Sequence, residues 1–163
     1  MLLPFAEWME TVGVYGASPY LAPAMNIAHL LAMVVFVGAN LVVDLRLLGV
    51  GLTHQPASVV ARDAAPWVWG GLAGLVVTGV PALMAAATEL YGNSVFWVKM
   101  GVLGAGLFLV VVVRGRLAAA SDGRSTRAAQ LVGLLSVLAW VSVAALARLV
   151  MMIPGDAFEW LVG

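Results

Sequence analysis

The sequence predicts an all-α polytopic membrane protein: a bundle of four transmembrane helices with short interfacial helices at the N- and C-termini. Three observations carry this. The chain is 63% hydrophobic and only 10% charged, where a soluble domain holds about a quarter charged residues. Four apolar runs are each long enough to cross a hydrocarbon core of about 30 Å at 1.5 Å per residue. Basic residues are confined to alternate connections between those runs.

The 163 residues suffice for one compact bundle, so the whole chain reads as a single domain. A formal net charge of zero gives no nucleic-acid footprint. Cysteine is absent, which excludes disulfides, covalent haem attachment and cysteine-ligated iron–sulfur clusters. A secretory signal is not expected at the N-terminus, because the residues before the first run carry Glu7 and Glu10 and no Lys or Arg.

Pro4–Val12 predicts a short interfacial helix. Pro4 suits its first turn, and Leu3, Trp8 and Val12 dip toward lipid while Glu7 and Glu10 stay wet. A frayed tail is the alternative. The first span is predicted at Ala24–Val43, stopped by Asp44 and Arg46. A loop with His54, Pro56, Arg62 and Asp63 follows. The second span is predicted at Val68–Ala87, entered through Pro66 and the interface aromatics Trp67 and Trp69. Pro81 predicts a kink inside it. Glu89, Tyr91, Gly92 and Asn93 make a short turn into the third span, Val95–Val113, ended by Arg114 and Arg116. A basic loop leads to the fourth span, Leu131–Ile153. Beyond Pro154 and Gly155, Phe158, Trp160 and Leu161 predict a second interfacial segment.

Sidedness follows from the positive-inside rule. The two connections after the first and third spans carry Arg46, Arg62, Arg114, Arg116, Arg124 and Arg127. The N-terminal segment, the turn near Glu89 and the C-terminal tail carry Glu7, Glu10, Glu89, Asp156 and Glu159, with no Lys or Arg. The expectation is a bacterial inner-membrane protein with both termini on the outer, periplasmic side. Helix contacts are expected at small-residue pairs such as Gly70/Gly74 and Gly101/Ala105.

Ionisable residues inside a span are costly and point to function. His29, Lys99 and Arg148 qualify. Counted from the predicted boundaries, each lies about 6–7 Å in from the outer side. Three helices would thus bring a titratable group to one level. On the first span, Asn26, His29, Met33, Asn40 and Asp44 fall on one stripe at 100° per residue, which predicts that His29 faces the bundle interior. The alternatives stay open: Lys99 and Arg148 are shallow enough to snorkel, and His29 can simply bond a neighbouring helix. Met25, Met33, Met84, Met100, Met151 and Met152 fall toward the outer half, where thioethers and an imidazole suit Cu(I) or only fill apolar gaps. His54 reads as a solvated loop residue. No nucleophile triad, phosphate-binding loop or zinc motif is present.

His29-Leu30-Leu31-Ala32 followed by Phe36-Val37-Gly38-Ala39 resembles the first core helix of the CopD-type copper-resistance domain and of HemJ-type protoporphyrinogen oxidases. Phe96-Trp97-Val98-Lys99-Met100, ahead of a long apolar run and Arg114, looks like their later helix. Asp44-Leu45-Arg46-Leu47-Leu48-Gly49, Pro66-Trp67-Val68-Trp69, Tyr91-Gly92-Asn93 and Lys99-Met100 are similar to an uncharacterised family of small bacterial four-helix membrane proteins. The resemblance implies b-type haem on His29, with Lys99 in a supporting role. Relatives often carry a histidine where this chain has Arg114, so a bis-histidine haem is not implied. Three readings follow. One is haem or tetrapyrrole handling, with His29 as metal ligand, Met33 packed on the macrocycle, and Lys99 and Arg148 on the propionates. Another is an accessory subunit of a larger membrane complex, or a homodimer, needing no cofactor. The third is copper handling.

Overall fold

The structure is a computed structural model that describes residues 3–12, 18–114, 116–117 and 126–152. The expected C-terminal interfacial segment at Phe158–Leu161 lies outside the described residues. The described chain is helical: α1 (Leu3–Val12), α2 (Leu21–Leu48), α3 (Ala57–Ala85), α4 (Ala87–Tyr91), α5 (Ser94–Phe108) running into a π turn (Leu109–Arg114), and α6 (Arg127–Met152). Spans α2, α3, α5 with its π turn, and α6 are each long and apolar enough to cross a membrane. In lipid a helix meets all its backbone hydrogen bonds internally, which is why runs this apolar take this form.

The helices overrun most of their predicted ends, because the apolar stretch marks only the part that must avoid water; α3 instead stops at Ala85, short of the predicted Ala87. α2 continues past Asp44 and Arg46 to Leu48. It stops at Gly49, whose φ of 79° takes the left-handed turn while the Gly49 and Val50 amides cap Arg46 and Leu45 carbonyls. α3 starts at Ala57, inside the expected loop, so Pro66 lies within the helix together with Pro81. Pro66 lacks the N–H that would bond the Arg62 carbonyl, so α3 loses one backbone bond about two and a half turns in from Ala57. The short turn after α3 contains α4, and the Asn93 side chain caps α5 by accepting from the Val95 and Phe96 amides.

The four long helices form a row, α3–α2–α6–α5. Contacts along each pair run in opposite directions in sequence. Gly71 meets Phe36, Gly74 meets Ala32 and Gly79 meets His29. Gly133 meets Asp44, and Trp140 stacks edge-on to Phe36. Asn93 bonds the Val150 carbonyl, and Gly106 meets Trp140. All neighbours are therefore antiparallel, and α2 and α5 run parallel on either side of α6. One end of the row carries Arg46, Arg62 and Arg127 and is the basic end. The other carries α1 and α4, with Glu7, Glu10 and Glu89, and is the acidic end.

Small residues make the seams, and of those the sequence named Gly74 is at one, where a Cβ would meet Ala32 at 2.9 Å. A Cβ on Gly71 would lie 2.7 Å from the Phe36 backbone nitrogen, whereas one on Gly70 meets nothing within 4 Å. Gly101 is likewise open, and Gly106 makes the α5–α6 contact. Gly74 thus stands as expected, while Gly71 takes the place of Gly70 and Gly106 that of Gly101/Ala105. Spacing alone fixes which residues share a face, not which face meets a helix.

The apolar core sits toward the basic end. One cluster holds Val43, Leu47, Ala57, Val60, Ala64 and Ala129; the next holds Phe36, Val68, Val110 and Trp140. Between 17% and 22% of each span's most apolar window is buried inside the chain. Most of the apolar side chains therefore point outward, as suits helices solvated by lipid.

At the acidic end α1 packs on α4 and α3. Its Glu10 carboxylate accepts from the Thr88 hydroxyl and, at 2.9 Å, from the Thr88 amide. α1 therefore folds back on the bundle, which excludes the frayed alternative.

Candidate functional site

α2 carries the chemistry. Its predicted stripe of Asn26, His29, Met33, Asn40 and Asp44 changes character along its length. Asn40 and Asp44 are fully buried, His29 and Met33 are half-buried, and Asn26 is exposed. The inward expectation holds for the lower part, and the stripe opens toward the acidic end.

At the buried end, four polar side chains from three elements meet. Arg114 donates from Nη1 to the Asn40 Oδ1 at 2.6 Å and stands 3.7 Å from the Asp44 Oδ1. The Ser136 hydroxyl donates to the Asp44 Oδ2 at 2.7 Å and accepts from the Trp140 Nε1 at 3.2 Å. The Asn40 amide donates to the Phe36 carbonyl at 2.7 Å. Asp44 Oδ1 accepts no hydrogen bond among the described residues, so Arg114 compensates it by charge alone. The π turn sets this up. A widened turn shifts the helical phase, and here it delivers Arg114 inward, leaving it 6% exposed.

This corrects the reading of Asp44 as the stop of the first span, since α2 runs on to Leu48, whereas Arg114 does close the third span but points inward. The two are an interior ion pair. Arg46 is also buried, and its Nε donates to the Gln55 carbonyl at 2.6 Å. An acidic or basic residue at the edge of an apolar run looks the same whether it faces water or a partner. The only available signal was the Asn40/Asp44 half of the polar stripe.

At the open end, His29 bonds α3. Its Nδ1 lies 2.7 Å from the Thr78 hydroxyl oxygen. That hydroxyl lies 2.6 Å from the Gly74 carbonyl one turn back. Gly79 passes the ring closely: a Cβ there would meet the His29 Cε1 at 3.1 Å. Thr78 and Gly79 were not singled out by sequence, since one threonine and one glycine in an apolar span carry no pattern of their own.

Lys99, on α5, is half-buried and has no ion pair or hydrogen bond among the described residues. His29 on α2 and Lys99 on α5 both lie toward the acidic end, on the two helices that flank α6. Arg148 is exposed and likewise unpaired among the described residues. The Asn93–Val150 hydrogen bond fixes its height. Lys99 is six residues in from Asn93 and Arg148 two residues in from Val150, so Arg148 sits about 6 Å nearer the acidic end. Met33 lies one turn from His29 on α2. His54 is exposed in the α2–α3 connection, at the other end of the row.

Two clefts notch the α2–α3 face. One, of about 360 Å³, is lined by Val35, Pro66, Trp67, Gly70 and Gly71; the other, of about 250 Å³, reaches Gln55 and Asp63. Neither is lined by His29. No group of three or more His, Asp or Glu able to hold a metal ion occurs among the described residues.

The row of four apolar helices with ionisable groups set into it defines a multi-pass membrane protein of the all-α class. The chain belongs to a family of unknown function (DUF6644), whose sequence profile matches residues 5–153. No curated protein and no solved structure matches it.

Proposed function

We propose that this protein is a haem- or tetrapyrrole-handling protein of the bacterial inner membrane, with His29 as the single axial ligand of a b-type haem. One observation carries the reading. His29 and Lys99 are both half-buried toward the acidic end, with His29 held through one ring nitrogen and Lys99 without a hydrogen bond or ion pair among the described residues. A haem needs a nitrogen lone pair and cations for its propionates. The residues present fit that requirement for one axial ligand. Two axial histidines do not fit, because the chain's other histidine, His54, is at the far end of the row.

Lys99 would bind a propionate, where low dielectric strengthens a charge-assisted bond. The exposed Arg148, about one turn shallower, suits the second propionate from the headgroup side. Met33 is placed one turn from His29, where a thioether can pack on a ring face. When bound, the haem supplies one-electron redox chemistry or is itself the cargo. The likeness of the His29 and Lys99 segments to HemJ-type proteins supports the same assignment.

The basic end is proposed to face the cytoplasm, with α1 and both termini outside, on the asymmetry of six arginines against none. A reporter fused at either terminus should read the outer side, and one at Asp122 the cytoplasm. A cytoplasmic C-terminus overturns that orientation.

The experiment for the function is colour. Protein purified from haem-replete membranes should show a Soret band, and His29→Ala should abolish it without loss of folding. Colourless wild-type protein overturns the haem reading, and bound copper instead would point to the CopD-like alternative. A second reading is favoured by one observation: most of each span is unburied within the chain. On that reading the protein is an accessory subunit covered by another membrane subunit or a second copy. Stoichiometric co-purification of colourless protein with a partner supports it.

A further inference from the structure

The hydrogen-bond chain behind His29 counts protons. A threonine hydroxyl has one hydrogen and two lone pairs. Thr78 Oγ1 lies 2.6 Å from the Gly74 carbonyl oxygen, its i−4 neighbour. Two oxygens at that distance need a hydrogen between them, and a carbonyl has none to give. The Thr78 proton is therefore committed to Gly74. The second contact of the same hydroxyl is His29 Nδ1, at 2.7 Å. Only an Nδ1–H can fill that contact, because the hydroxyl has no further hydrogen to donate.

We propose that Thr78 fixes neutral His29 in its Nδ1–H tautomer, which makes Nε2 the ligating atom and Thr78 the positioning residue of the site. The inference rests on the haem reading for what Nε2 would bind, but the tautomer is a property of the protein alone. In a neutral imidazole one nitrogen carries the hydrogen and the other the lone pair. Pinning the hydrogen on Nδ1 leaves the lone pair on Nε2, the ring nitrogen not bonded to Thr78. Ligating histidines commonly have their second nitrogen engaged in this way, and the bond sets both the orientation and the basicity of the ring. The backbone carbonyl of Gly74 completes the relay and cannot titrate. Gly79 supplies the other constraint, since its missing Cβ leaves room for the ring edge at 3.1 Å.

The full-length protein in detergent, without haem and with ¹⁵N-labelled histidine, tests this directly. The chain has two histidines, so two rings appear, and His29→Gln assigns them. At alkaline pH, where imidazole is neutral, the ¹⁵N shifts should report protonated Nδ1 and bare Nε2 for His29. Thr78→Ser should keep that pattern and Thr78→Val should lose it. His29 with protonated Nε2 in the wild-type protein overturns the proposal, as does an unchanged pattern in Thr78→Val. Haemin titrated into the same samples then separates the two ideas. Thr78→Val should bind haemin about 10–100-fold more weakly, with Thr78→Ser close to wild type. Wild-type protein that takes up no haemin removes the haem reading, while the nitrogen shifts still decide the tautomer.

Discussion

Arg114 bonds the neutral amide of Asn40 more closely than it approaches the carboxylate of Asp44, at 2.6 Å against 3.7 Å. The two bonded residues lie on helices that both flank α6 and are separated by 74 positions in the chain. Asn40 and Asp44 are one turn apart on α2, so one guanidinium serves both. Ser136 on α6 closes the arrangement from the other side of Asp44. The ion pair is therefore a clamp joining α2, the end of α5 and α6. Removing one partner from a buried pair leaves the other charge uncompensated. Arg114→Ala should destabilise the protein by about 3–5 kcal/mol. Asp44→Asn combined with Arg114→Gln should recover much of that loss. Unfolding in mixed micelles with increasing denaturing detergent measures both.

The α2–α3 seam gives a paired prediction from adjacent glycines. Gly71→Ala drives a methyl into the Phe36 backbone at 2.7 Å, which no rotamer change relieves. It should cost about 1–3 kcal/mol, the usual range for overpacking. Gly70→Ala meets open space and should leave stability unchanged or slightly raised. Equal effects from the two substitutions would contradict the seam.

Contact between α1 and α4 should depend on pH. The Thr88 hydroxyl, and secondarily its amide, hold the Glu10 carboxyl below the usual carboxylate range. A lowered value in the folded state means the contact is favoured above the ordinary carboxylate range and lost as pH falls through the lowered one. Hydrogen-exchange protection of the Thr88 amide should therefore drop on acidification. In Glu10→Gln that pH dependence should vanish.

The cofactor variants should rank by how poorly solvated each cation is. Lys99→Ala should lower haem retention more than Arg148→Ala, because a propionate facing Lys99 is poorly solvated, whereas Arg148 is exposed and water can replace it. His54→Ala should leave the Soret band unchanged. Titration of haemin into each variant, read by absorbance, gives the order. A larger loss in Arg148→Ala would reverse the assignment of the two cations.

Much of the fold was legible because lipid imposes one rule on every span. A run of some twenty apolar residues must become a helix to satisfy its own backbone. Four such runs therefore sufficed for four helices, and the confinement of arginine to alternate connections for an up-down order. The stripe on α2 also came from sequence, since 100° per residue places Asn26 through Asp44 on one side whatever they face. Pro4 in the first turn of α1 and the placement of His29 and Lys99 inside spans were equally local facts.

What the tertiary structure decided was which charges meet. Asp44 and Ser136 are 92 positions apart, and Arg114 and Asn40 are 74 apart. No local pattern distinguishes such residues from helix ends in water. The phase shift of the π turn, the choice of Gly71 over Gly70 and the Thr78 hydroxyl at His29 each depend on the rotation of one helix against another. Sequence period fixes the faces of a helix but leaves its rotation free. Close backbone approach and the burial of polar groups then select one rotation. That selection placed a compensated ion pair at the closed end of the row and bonded His29 to the Thr78 hydroxyl at the open end.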